Sequence, residues 1–122
     1  MTGTVNAELE PLLRLVVRDA GGQAHDVEAV VDTGFNGFLT LPPALIAALR
    51  LPWLCRQQGQ LADGSVMTFD VHVATVDWHG QPRAVEVEAA DAQPLLGMSL
   101  MRGSELKVQV ADGGSVTITE TP

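Results

Sequence analysis

Asp32 is the carboxylate whose surroundings least resemble a plain surface turn. It lies in VVDTGFNGFLTLP (30–42), where two β-branched residues run into Asp32-Thr33-Gly34 and an apolar stretch follows. Asp and Gly also make ordinary turns, so the tripeptide alone distinguishes little. The flanks say more. Val30 and Val31 would anchor a strand in a core, and Gly34 and Gly37 would let the backbone fold sharply beneath the carboxylate. Phe38, Leu39 and Leu41 would then return the chain to the core. A carboxylate clamped on both sides is held as a general acid or base must be.

Other chemistries find little support. His25, His72 and His79 form no HxH or HExxH spacing and there is no CxxC, so neither a metal site nor a cofactor is expected. GGQ and DGG lack the strand-to-helix setting of a phosphate loop, and no G-x-S-x-G elbow occurs. Cys55 is the single cysteine, so no internal disulfide forms and a reducing compartment fits. Only Arg56 lies nearby to activate that thiol, which reads as a half-buried small hydrophobe.

The formal net charge is -8, with seven scattered basic residues. That argues against nucleic acid and against anionic membrane surfaces. No apolar run approaches the roughly 20 residues of a membrane span. MTGTVNAELEP lacks the basic and apolar regions of a signal peptide, and a cytoplasmic location is expected.

The elements that must position Asp32 read mainly as strands. The chain of 122 residues, 46% of them apolar, is expected to form one domain over 1–122. LLRLVVR (12–18) and AHDVEAVV (24–31) flank a DAGGQ turn, and FLTL (38–41) is a short strand. PPALIAALR (42–50) is the one convincing helix, with Thr40 as its cap, Pro42 and Pro43 in its first turn, and Leu45, Ile46 and Leu49 as its apolar stripe. LPW stops it, with Trp53 as a core plug.

CRQQGQL and VMTFDVHVATV make a hairpin about ADGS, with Phe69, Val71 and Val73 on the buried face. WHGQP (78–82) turns the chain into RAVEVEA, with Val85 and Val87 inward and Glu86 and Glu88 outward. Trp78 is a hairpin-end residue. PLLGMSLMRG (94–103) opens a second, short helix, and ELKVQV and SVTITE form a last hairpin about ADGG. The sum is an all-β (mainly β) domain of about eight or nine strands with one good helix and a short second one, a pattern that compact barrels and sandwiches both fit.

AVVDTGFNGFLTLP resembles the active-site loop of retroviral-type (retropepsin-like) aspartic proteases, and in particular the small bacterial members. PLLGMSLM is similar to that family's second signature. The resemblance spans roughly residues 10 to 120 and implies a closed barrel of the acid protease type, one lobe per chain. It implies an aspartic endopeptidase with Asp32 catalytic and no metal or cofactor. Thr33 would hydrogen-bond across a two-fold axis, and the Gly34 N–H would support the carboxylate. Leu95, Leu96 and Gly97 would pack beneath the loop. Leu61, Ala62, Asp63, Gly64 and Ser65 would form a flap over an extended peptide.

Only one Asp-Thr-Gly is present. The resemblance therefore implies a homodimer, in which Asp32 meets its copy. Retroviral enzymes interleave their terminal strands. SVTITE could do this, or could equally complete its own chain's barrel. Phe35 departs from the small or hydroxyl-bearing residue usual after Asp-Thr-Gly. Without a hydroxyl to favour the charged carboxylate, activity should shift toward neutral pH. Phe35 could instead fill the cleft, leaving an inactive dimerisation or peptide-binding module.

Overall fold

The structure, a computed structural model, describes residues 1–122. β2 (Pro11–Arg18) and β3 (Ala24–Val31) form an antiparallel hairpin. Strict alternation buries Leu13, Leu15 and Val17 on β2 and Val27, Ala29 and Val31 on β3. The turn between them is held by Asp19, whose Oδ1 accepts the N–H groups of Gly21 and Gln23 at 2.8 and 3.0 Å. β4 (Leu39–Leu41) is buried throughout and leads into α1 (Pro43–Leu49).

A long hairpin of β5 (Trp53–Gln60) and β6 (Val66–Trp78) follows. β6 continues through a two-residue turn, His79 and Gly80 both at positive φ, into β7 (Gln81–Ala89). Two left-handed residues match the twist of a tight hairpin. β8 (Leu95–Leu96) and α2 (Met98–Met101) precede the last hairpin, β9 (Ser104–Val108) and β10 (Ser115–Glu120).

All ten strands join one sheet in the order β5-β6-β7-β4-β8-β3-β2-β1-β10-β9, where β1 is Thr2–Val5. β2 also pairs with β6 at Val17↔Val76 and Arg18↔Thr75. This second contact turns the six strands from β6 to β2 into a ring around a core of 22 buried residues. The all-β class expected from the sequence holds. The tenth strand is β1, a short polar segment with no alternation to announce it.

Four local expectations differ from the structure. Thr40 does not cap α1: the N-cap is Pro42, and the Thr40 hydroxyl accepts the Leu95 N–H at 2.9 Å. Trp53 is 60% exposed rather than a core plug, and its Nε1–H donates to Asp70 at 3.1 Å. Leu51, buried after the helix, takes the place assigned to it.

The core face of β6 is Ala74, Val76 and Trp78, not Phe69, Val71 and Val73. Both faces of this strand carry apolar residues, so alternation alone does not set the phase. Pairing of Val76 with the buried Val17 does. Val71 is buried outside that core, in a cleft described below. Glu88, expected outward, is half-buried in the same cleft.

SVTITE stays within its own chain. β10 lies between β1 and β9, and the Ile118 N–H donates to the Met1 carbonyl at 2.8 Å. No helix is long and apolar enough to cross a membrane.

Candidate active site

Val31 is the last residue of β3, and its strand is held from below by β8, paired parallel at Val30↔Leu95 and Val31↔Leu96. β8 also pairs antiparallel with β4 at Leu39↔Leu96. Leu96, wholly buried, is thus gripped by the strands that enter and leave the Asp32 loop. Backbone hydrogen bonds complete the lacing. The Asp32 N–H donates to Leu96 O at 2.9 Å, Gly97 N–H to Phe38 O at 3.0 Å, Met98 N–H to Phe35 O at 2.8 Å and Ser99 N–H to Gly37 O at 3.1 Å.

Both signatures singled out in the sequence therefore form one body. The reason is local: each short apolar run is too small to bury its own backbone groups and satisfies them on the other.

Asp32 is half-buried, while Thr33 and Gly34 are exposed at the loop tip. Within the chain the Asp32 carboxylate accepts one hydrogen bond, from the Gly34 N–H at 2.8 Å. Phe35 turns its ring back over the loop: a Cβ on Gly37 would lie 2.5 Å from Phe35 Cζ, and one on Gly97 2.6 Å from Phe35 Cδ2. Only glycine at both positions leaves room for that ring. Ser99, which the sequence did not single out, ties the loop further by donating its hydroxyl to the Asn36 carbonyl.

An open cleft of about 410 Å³ runs beside the loop, with Phe35, Gly37 and Phe38 on one wall. Gln57 and Val71 reach it from the arms of the long hairpin, and Glu86 and Glu88 from β7. Asp32 itself is not in this wall, so the cleft flanks the carboxylate rather than containing it. Burial, and secondarily the charge of Glu86, holds the Glu88 carboxyl above its ordinary range. Pairing of Val71 with Glu88 is what brings this face of β6 to the cleft. That register depends on contacts far apart in the chain.

Leu61, Ala62, Asp63, Gly64 and Ser65 form the tip of the β5–β6 hairpin and are all exposed. The Leu61 N–H donates to Ser65 O at 2.8 Å, and Gly64 takes φ 87° to close the turn. Ser65 donates both its N–H and its hydroxyl to Asp63, at 2.9 and 2.6 Å, which lowers the Asp63 carboxyl below its ordinary range. None of these five lines the cleft; its contacts come from further down the arms. No three His, Cys, Asp or Glu side chains are grouped to hold a metal ion.

No family model matches the chain, and no curated protein matches it. Solved structures do. The chain is similar to a retropepsin-like aspartic protease from Rickettsia conorii, with a TM-score of 0.62 at 13% identity, over 100% of this chain and 91% of that one. It is also similar to the EIAV protease solved with the inhibitor HBY-793, with a TM-score of 0.58 at 19% identity, over 80% of this chain and 89% of that one. The chain has the fold of the retropepsin-like aspartic proteases.

Proposed function

We infer that residues 1–122 form one lobe of a homodimeric aspartic endopeptidase that cleaves peptides bound in extended form. The observation that carries this is the single Asp32 on a loop laced rigidly to Leu96 and Gly97 with its tip exposed. Two such tips facing across a two-fold axis would put two carboxylates within reach of one water. So placed, they cannot both ionise and share a proton. One takes a proton from the attacking water while the other donates to the scissile carbonyl oxygen. The result is a tetrahedral diol intermediate. As its C–N bond breaks, the carboxyl that took the water's proton gives it to the leaving nitrogen while the other takes one back from a diol hydroxyl, leaving acid and amine.

Thr33 would brace the two loops, and the 61–65 tip would fold over the substrate and exclude water. Substrate backbone would add to strand edges, with side chains entering the flanking cleft. No cofactor is required. The single Cys55 accords with a reducing, cytoplasmic setting.

The test is inhibition by shape. The protein should cleave an unstructured substrate such as casein somewhere between about pH 3 and pH 8, and a peptide with a secondary alcohol in place of the scissile carbonyl should block it far more tightly than the parent peptide. If the chain binds such peptides yet cuts none over that range, it is a peptide-binding module instead.

A second prediction concerns Phe35. Only the Gly34 N–H supports the carboxylate within the chain. Phe35→Ser would add a hydroxyl donor that favours the ionised form, so the one-proton state of the pair would persist to lower pH. The pH–rate optimum of Phe35→Ser should move toward acid relative to the wild type. The shape of the profile is read, so loss of some folded protein does not affect it. An optimum that stays put, or moves up, contradicts the assignment.

A further inference from the structure

The proposed site is complete only when a second copy faces Thr33, and the chain's terminal strands are already spent. Within the chain β10 is paired on both edges, by β1 and by β9, and so offers no open edge to a second copy. The sheet instead ends in a free edge at β9. That edge begins in a groove of 290 Å³ shared by Thr33, Met98, Met101, Arg102, Ser104 and Leu106. Met98, 46% exposed, is an apolar residue with nothing over it.

We propose that the dimer closes by antiparallel pairing of β9 with β9 of a second copy, centred on Leu106, giving a continuous six-stranded sheet β1-β10-β9-β9-β10-β1. This rests on the peptidase reading in placing Thr33 beside the two-fold axis.

The backbone is set for it. In the β9–β10 ladder the Gln109 N–H donates to Ser115 O at 2.8 Å, and the Thr121 N–H donates to Gly103 O at 3.0 Å. Odd-numbered residues of β9 therefore spend their backbone groups on β10, and Ser104, Leu106 and Val108 present theirs outward. A two-fold through Leu106 pairs these outward groups with their counterparts: Leu106 with Leu106, Ser104 with Val108.

The side chains agree with that register. SELKV sets Glu105 opposite Lys107 of the other copy, twice over. Both are exposed on the same face. Lys107 is the chain's single lysine, and two copies of charge -8 repel in general, so a self-complementary pair here offsets repulsion where the copies meet.

The experiment measures the dimer dissociation constant by sedimentation equilibrium for the wild type, Glu105→Lys, Lys107→Glu and the double exchange. Each single variant should weaken the dimer about tenfold, and the double exchange should return it to within about threefold of the wild type. Val108→Pro removes an outward N–H without touching the β10 ladder and should also favour monomer. Single variants that dimerise like the wild type, a double exchange that does not recover, or a wild type monomeric throughout would overturn the interface. Casein cleavage, recorded alongside, separates the two claims. A dimer that cleaves but ignores these charges removes the interface and keeps the peptidase; a dimer that obeys them but never cleaves does the reverse.

Discussion

Asp32→Asn is expected to lower kcat/KM for an unstructured protein substrate by at least about a thousandfold while leaving the fold intact. The amide is isosteric with the carboxylate, and its oxygen can still accept the Gly34 N–H now held at 2.8 Å. The melting temperature should therefore stay within about 2 °C of the wild type. What is lost is the ability to take a proton from water and pass one to the carbonyl oxygen. Because the dimer would carry the change twice, no carboxylate remains at the centre. The dimer should hold about as tightly as before, since the amide can still hydrogen-bond its copy where the two carboxylates shared a proton. Residual cleavage within tenfold of the wild type would remove Asp32 from the chemistry.

Gly97→Ala should cost about 2 to 3 kcal/mol of stability, seen as a fall of roughly 10 °C in melting temperature. The new Cβ would collide with the Gly37 carbonyl and lie 2.6 Å from Phe35 Cδ2. Neither neighbour can yield easily. Phe35 O and Gly37 O are tied to the N–H groups of Met98 and Ser99, and Gly97 itself donates to Phe38 O. Relief must come from moving the Asp32 loop, so cleavage should fall more than tenfold beyond the loss of folded protein. Gly22→Ala is the control. It has φ 84° but nothing within 4 Å, so it should cost only about 1 kcal/mol of backbone strain and leave activity unchanged. A Gly97→Ala protein as stable and active as this control would mean the two signatures are not mechanically coupled.

The sequence carried the loop well because its pattern is local. VVDTG, the two glycines and FLTL say strand, turn, strand without help from elsewhere, and PLLG carries its own apolar pair and breaker. The cleft was less legible, because its walls are set by register. Whether Val71 or Ala74 faces the core depends on the pairing of Val76 with Val17, a contact between residues 59 apart that periodicity does not encode. Glu88 was read as outward from correct alternation on β7, yet its neighbours Gly37 and Phe35 arrive from another loop and half-bury it. Thr40 has the right type for a helix cap, but Pro42 starts α1 and Leu95 claims the hydroxyl. The fate of SVTITE turned on β1, whose four residues give no alternating signal but provide the edge that β10 joins.

Subunit mixing tests most directly whether each chain holds half a site. Wild type and Asp32→Asn are combined in equal amounts at fixed total concentration, allowed to exchange, and assayed for cleavage. If one water lies between two Asp32 carboxylates, only wild-type pairs are active, and the rate falls to about one quarter of the wild-type value. A rate of about one half would mean that each chain cleaves alone, and would contradict the shared site.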